Sequence, residues 1–351
     1  KSFGGCATML AQNRQIFSKD MHWRIESIDK ESLVAKGMDI DLGLSQIWKI
    51  KLTERNCVDW QIETEAPIDL KSSLSQVNLM LNEKFSRWST LENEGTFPLK
   101  LSSFREWQVL ESAKSSFDKD GAICAYCDNG RDQEPLPSVL LESDTDNAFK
   151  IARAIITGIE QSSRVISLTP QALGAQNSFS GKIKIFDDKH EFYSYLTFRK
   201  LKLIEEHSIH KGETRLFFDQ GHLRLFYKEL ELTKADCFSS SFYYRGRWFN
   251  SSEAICECKK QDAETLILNV CWSELKISQV WQVSLLSEFE IVWIIKLETQ
   301  DGISIQSSRA AIFLSDQYRE WFSTYEEGSF PKEFLCQDIV LENTKRKIVG
   351  L

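Results

Sequence analysis

Ser45-Gln46-Ile47-Trp48-Lys49-Ile50-Lys51-Leu52 alternates side-chain character: Gln46, Trp48, Ile50 and Leu52 share one parity, and Ser45, Lys49 and Lys51 the other. A period of two marks a β-strand with one buried face and one wet face. The next run repeats it, with Val58, Trp60 and Ile62 set against Asp59, Gln61 and Glu63. Both runs return 233 residues later, as Ser278-Gln279-Val280-Trp281 with Val283 and Leu285, then as Trp293, Ile295 and Leu297. That shift lays 18–98 on 251–331 without a gap, with 19 of 81 pairs identical. Three of the identities are tryptophans, and Trp88 with Glu94-Gly95-x-Phe97-Pro98 falls on Trp321 with Glu327-Gly328-x-Phe330-Pro331. Register held this long marks an internal duplication.

Working outward, the offset sets Lys1 opposite Lys234, so copy one lacks its opening strands. Copy two has them, read at 182–186, 192–198, 215–218 and 223–227, but stops at Leu351 where copy one continues through Cys124 and 136–141. We read this as a fragment of a longer protein, or as an arrangement whose missing strands come from elsewhere in the chain. Pro170, Gly174 and Gly181 among Ser, Gln and Asn mark a connection, giving modules 1–172 and 181–351 around a linker at 173–180. A short helical turn is expected after Leu81 and Leu314, capped by Asn82 or Ser315, with Phe85/Trp88 or Tyr318/Trp321 at i, i+3 spacing. Ile151, Ile155 and Ile159 suggest a longer helix over 147–157, with a strand as the alternative. The fold class is all-β: two related antiparallel β-sandwich modules with few short helices.

Composition bounds the function. Of 351 residues, 42% are hydrophobic and 27% charged, which excludes a wholly disordered chain. Lys plus Arg number 43 against 51 Asp plus Glu, arguing against nucleic acid or an anionic membrane surface as the main partner. No apolar run approaches the roughly 18 residues of a spanning helix. Nine cysteines, an odd number with several inside apolar runs, read as reduced and point to the cytoplasm. The chain opens at Lys1 without a charged-then-apolar leader, so a signal peptide is expected to be either absent or already removed. Cys124-Ala-Tyr-Cys127 is the one Cys-x-x-Cys and lacks a second ligand pair, so no metal and no cofactor is expected.

Gly221-His-Leu-Arg-Leu-Phe-Tyr-Lys-Glu-Leu-Glu-Leu-Thr233, then Arg245-Gly-Arg-Trp248, then the Gln-x-Trp and Trp-x-Ile strands, resemble the opening half of galactose-mutarotase-like supersandwich domains over about 180–330 and the shorter copy. The resemblance implies a large β-sandwich of a kind common in carbohydrate-active proteins. It does not imply catalysis, since the Asn-His run and paired histidines of the sugar epimerases are not recognisable here.

The repeated Trp48, Trp60, Trp281 and Trp293 lie on the apolar parity and are assigned to the core. Aromatics that the copies do not share are better ligand candidates: Trp23 falls on Cys256, Asp39 on Trp272, Gln15 on Trp248. Tyr243-Tyr-Arg-Gly-Arg-Trp-Phe-Asn250 gathers aromatics and two guanidinium groups suited to hydroxyls or the carboxylate of an acidic sugar. The expected carbohydrate-binding set is therefore Tyr244, Arg245, Arg247, Trp248 and Trp272, with Arg14 as the copy-one partner of Arg247. His207-Ser-Ile-His210, Asp39-Ile-Asp41 and Asp144-Thr-Asp146 carry weaker metal readings. The leading expectation is a non-catalytic carbohydrate-recognition or scaffolding region of a larger glycan-synthesis or glycan-processing protein. The alternatives are a protein-interaction scaffold that binds a partner or itself, and a sugar epimerase or lyase using His190, His207, His210 or His222.

Overall fold

A computed structural model describes residues 4–11, 14–54, 56–67, 71–90, 93–98, 107–112, 121–127, 136–144, 148–157, 164–171, 177–202, 204–300, 302–323, 327–330 and 348–350. The fold is all-β, in two compact units, Lys1–Phe192 and Tyr193–Leu351.

Unit 1 holds β1 (Gly5–Ala11), β2 (Arg14–Phe17), β3 (His22–Ile28), β4 (Ser32–Asp39), β5 (Leu44–Glu54), β6 (Cys57–Glu65), β7 (Ser72–Leu81), β8 (Arg87–Ser89) and β9 (Glu94–Thr96). It continues with β10 (Trp107–Ser112), β11 (Ala122–Tyr126), β12 (Ser138–Ser143), β13 (Ile151–Thr157), β14 (Arg164–Thr169) and β15 (Ser178–Phe186). A six-stranded sheet, β10-β13-β14-β7-β1-β2, shares one core with a nine-stranded sheet, β3-β4-β5-β6-β15-β12-β11-β8-β9. All pairings are antiparallel, and Met9, Leu74, Val77 and Ile166 from the first sheet meet Trp60, Ile62, Ile123 and Phe179 from the second.

After α1 (Lys189–Lys202), unit 2 holds β16 (Ser208–Lys211), β17 (Thr214–Asp219), β18 (His222–Tyr227), β19 (Leu230–Glu231), β20 (Thr233–Tyr244) and β21 (Arg247–Asn250). Then follow β22 (Ile255–Lys260), β23 (Thr265–Trp272), β24 (Ile277–Ser287), β25 (Glu290–Thr299), β26 (Ser307–Leu314), β27 (Glu320–Ser323), β28 (Glu327–Ser329) and β29 (Ile348–Gly350). The sheet β16-β17-β18-β20-β21, with β26 on the other side of β20, packs on the four-stranded β22-β23-β24-β25.

Adding 233 to the bounds of β2, β4, β5 and β9 gives the bounds of β21, β23, β24 and β28. Pairings shift together: Gly5↔Leu79 and Phe238↔Ile312 occupy equivalent places in β1–β7 and β20–β26. Trp48 and Trp60 meet edge to face at 5.1 Å, as do Trp281 and Trp293. The Gln-x-Trp spacing has a local cause. Gln46 and Gln279 are buried, and their Oε1 atoms accept the indole N–H of Trp48 at 3.0 Å and of Trp281 at 2.8 Å. The amide oxygen thus satisfies an indole N–H that would otherwise be drawn out of water unpaired. The Glu-Gly pair is equally local: Trp88 faces Gly95 and Trp321 faces Gly328 across adjacent strands, where a Cβ would sit 2.5 and 2.7 Å from the ring.

Four expectations are corrected. Residues 192–198, expected as a strand, are helical, because Phe192, Tyr195, Phe198 and Leu201 form one buried stripe at three-residue spacing. The Asp188 carboxylate starts that helix by accepting the Glu191 N–H at 2.9 Å. Residues 151–157 form β13 between β10 and β14, not a helix. The expected helical turns after Leu81 and Leu314 are tight turns in which Asn82 and Ser315 side chains accept from Lys84 N and Gln317 N, and Trp88 lies in a strand. Residues 178–180 of the expected linker, and 181–186 of the expected second module, form β15 of unit 1, paired with β6 and β12. The rest of that linker up to 176 lies outside the described residues. No helix among the described residues is long and apolar enough to cross a membrane.

Candidate functional site

Four of the five expected ligand residues sit on the β20–β21 hairpin, whose register pairs Phe242↔Phe249, Tyr243↔Trp248 and Tyr244↔Arg247. The connection is two residues long, with Arg245 at φ 48° and Gly246 at φ 84°. Two left-handed residues match the right-handed strand twist and close a tight hairpin. A Cβ on Gly246 would meet nothing within 4 Å, so the glycine answers the backbone angle alone. Arg245 holds the same region at a cost of about 1–2 kcal/mol.

Strand alternation then divides the set. Toward the core lie Phe242 and Phe249, stacked at 5.4 Å, with Tyr244 and Arg247 beside them. The Arg247 guanidinium carbon rides 4.0 Å over the Phe249 ring and its Nη2 is 3.1 Å from the Glu253 carboxylate. Arg245 lies 5.1 Å over the Tyr244 ring. On the outer face stand Tyr243 and Trp248, with centroids 5.5 Å apart and Trp248 42% exposed.

The outer face gains a member from 60 residues on. β26 pairs with β20, which puts Arg309 opposite Ser241. Its Nε donates to Ser241 Oγ at 3.0 Å, and its guanidinium carbon lies 4.8 Å over the Trp248 ring. Among the described residues no carboxylate pairs with Arg309. The 233-residue offset carried a signal for it: Arg309 is the offset partner of Gln76, which lies opposite Thr8 as Arg309 lies opposite Ser241.

Trp272 is not a platform. It is 5% exposed, its indole N–H donates to Asn250 O at 3.2 Å, and Phe242 meets its ring at 4.8 Å. Trp23, also singled out by its unequal partner, covers Gly37, where a Cβ would lie 2.7 Å from the ring, and donates its indole N–H to Ser18 O. Arg14 is exposed at the start of β2. His207 stands edge-on to Phe218, and His222 lies opposite Asp219, whose carboxylate is held by Arg224 at 2.9 Å. His190 is on α1 and His210 on β16, so the four histidines are spread over separate elements. Among the described residues no three His, Cys, Asp or Glu side chains gather around one point suited to a metal. Burial pushes the Cys124 thiol up to about 12, and its Sγ is 3.1 Å from Ser89 O. Its neighbour Cys127 contacts Lys84 O instead. Residues 145–146 of the Asp144 motif lie outside the described residues, as does Cys336.

No family model and no curated protein matches the chain. Among solved structures it is similar to the alpha-N-acetylgalactosaminidase NagBb from Bifidobacterium bifidum in complex with GalNAc. That likeness has 8% identity and a TM-score of 0.38, over 57% of this chain and 34% of that one. The chain thus spans about a third of that enzyme's length, at a similarity that fixes neither fold nor activity.

Proposed function

We propose that this chain is a non-catalytic carbohydrate-recognition region of a larger glycan-synthesis or glycan-processing protein, and that the outer face of the β20–β21 hairpin contacts an acidic glycan. The observation that carries this reading is Arg309: a guanidinium fixed by an indole face and a serine hydroxyl, with no carboxylate partner among the described residues. A fork held in place loses little side-chain freedom on binding and matches a carboxylate two atoms to two. Exposed Trp248 offers a flat apolar surface to the C–H face of a sugar, and Tyr243 a hydroxyl beside it. Arg245 and Arg247 border the site and raise its positive charge, while Glu253 partly offsets Arg247. The thiol-rich composition favours a reducing compartment such as the cytoplasm.

A glycan array of neutral and acidic sugars, with Arg309→Ala, Trp248→Ala and the Arg247→Ala, Trp248→Ala pair alongside, tests it. Acidic glycans are expected to bind the unsubstituted chain, with affinity falling at least about tenfold in each variant. Retention by no acidic glycan, or binding indifferent to Arg309→Ala, would sink the reading.

A further inference from the structure

A strand with no neighbour on one side presents a row of unpaired N–H and C=O groups to a second chain, and folded proteins usually blunt such edges. One edge of this kind recurs in both units. β3 ends the nine-stranded sheet and β22 ends the four-stranded one, and the 233-residue offset sets His22 of β3 on Ile255 of β22. Unit 1 follows this edge with strands as far as β15, and unit 2 precedes it with α1 and β16 to β21. Among the described residues β3 nevertheless pairs with β4 alone and β22 with β23 alone. The edge is therefore open in both settings.

The two edges differ in shape. In β3, Ile25 lies opposite Ala35 and Ser27 opposite Val34, which leaves Glu26 as an extra residue. Such a bulge bends and twists the strand and is one of the ways in which an edge is blunted. β22 has no break of this kind: Ile255 to Lys260 pair residue for residue with Cys271 to Leu266, without a shift and without proline. Its side chains alternate. Ile255, Glu257 and Lys259 are exposed, while Cys256, Cys258 and Lys260 are half-buried, the two cysteines packing on the unit 2 core. Among the described residues neither Glu257 nor Lys259 forms an ion pair within the chain.

We propose that β22 is a dimerisation edge occupied by β22 of a second copy of this chain, paired antiparallel about a two-fold axis at Cys258. Charge picks the register. An axis normal to the sheet keeps each side chain on its own face, so it must fall on a residue rather than between two. Placed on Glu257 it sets two glutamates opposite each other, and on Lys259 two lysines. Placed on Cys258 it sets each Glu257 opposite the partner's Lys259, so both pairs attract. Opposite charges directly across a strand pair stabilise it and like charges destabilise it. The same register puts Ile255, 66% exposed, opposite the partner's Gln261. It also puts Cys256 opposite the partner's Lys260, whose aliphatic stem covers the thiol. The two four-stranded sheets then run on as one, and the main-chain groups of the edge acquire partners. An interface of one strand pair lies at the small end of the size range, so the dimer forms and parts with concentration. This surface does not rest on the glycan-binding reading.

Sedimentation equilibrium of the whole chain between about 1 μM and about 1 mM is expected to show monomer and dimer in exchange. Glu257→Lys and Lys259→Glu, both at exposed positions, each turn two attractions into two repulsions and are expected to weaken the dimer at least about tenfold. Mixed in equal amounts, the two variants are expected to pair with each other as tightly as the unsubstituted chain pairs with itself, since every lysine of one then meets a glutamate of the other. The double variant Glu257→Lys, Lys259→Glu is expected to dimerise alone. Amide hydrogen exchange on the unsubstituted chain reads the edge independently of any variant: it is expected to slow at Ile255–Lys260 as concentration rises and to stay constant at His22–Ile28. A chain that is monomeric throughout overturns the proposal, as does a dimer indifferent to both charge variants or one whose protection maps to β3. A mixture that fails to pair overturns it as well, because the Cys258 register requires that rescue.

Discussion

Trp60 and Trp293 hold the same place in two sheets, each edge-on to a second indole at the same 5.1 Å, yet Trp60 is sealed and Trp293 half-buried. Their own strands do not differ in register. What differs is the neighbour on the adjoining strand of the same sheet, Phe179 of β15 in unit 1, which lies outside the stretch matched by the 233-residue offset. Strands matched by the 233-residue offset therefore keep the same pairing, while their burial differs with what packs on the pair.

Truncating the two rings separates these contributions. Trp60→Ala should cost unit 1 about 3–5 kcal/mol, the range for a large aromatic lost from a packed core. Trp293→Ala should cost unit 2 less, because solvent already reaches its ring. Urea unfolding followed by separate probes in each unit measures both, and equal losses would erase the distinction. A smaller effect tests compensation between the copies. Trp23 and Gly37 lie opposite each other on β3 and β4, as Cys256 and Val270 do on β22 and β23. Gly37→Val alone should destabilise unit 1 by about 1–3 kcal/mol through overpacking against the indole. Adding Trp23→Cys imports the unit 2 pair and should recover part of that loss, a coupling of about 1 kcal/mol in a double-mutant cycle. Simple additivity would mean that the two positions do not share a volume.

The smallest effect concerns the turn before β4. Asp29 accepts from the Ser32 hydroxyl at 2.7 Å and from the Glu31 and Ser32 N–H groups, and these bonds hold its carboxyl below the ordinary 3.8. A lowered folded value means that the contribution is present above the ordinary value and lost as pH falls through the folded one. Asp29→Ala should therefore lower the stability of unit 1 slightly at neutral pH and not at all once the carboxyl is protonated. A pH series of denaturation midpoints checks this, and a penalty that persists in acid would assign the loss to something other than the charge.

The strands were legible because Trp48, Trp60 and Ile62 announce a period of two, and because Trp88 and Gly95 need each other across a strand pair. The helix was not. Phe192-Tyr-Ser-Tyr-Leu-Thr-Phe198 is rich in strand-favouring residues, and packing of Phe198 and Leu201 on Phe217 and Phe226 overrides that preference. β13 was obscured by the opposite accident, isoleucines spaced by four in a strand buried along most of its length, where alternation carries little signal. Within the candidate site the hairpin was readable and the split between its faces was not, since Arg309 arrives only through sheet pairing. Trp272 shows why unequal size between copies is a poor guide to ligands: although the offset partner is Asp39, its ring is 5% exposed and packs edge to face on Phe242, so the extra bulk fills core.

The rings of Trp23, Trp48 and Trp60 form a chain with centroids 4.8 and 5.1 Å apart, whereas among the described residues of unit 2 the indoles in contact are the pair Trp281 and Trp293. Transition dipoles this close couple, because the interaction grows as the inverse cube of separation. Exciton coupling among three indoles in unit 1 and between two in unit 2 is therefore expected, and a near- and far-ultraviolet circular dichroism comparison of Trp48→Phe and Trp281→Phe with the unsubstituted chain would read it. Each unit would then carry its own intrinsic reporter, whose signal is expected to vanish when β5 parts from β6 or β24 from β25.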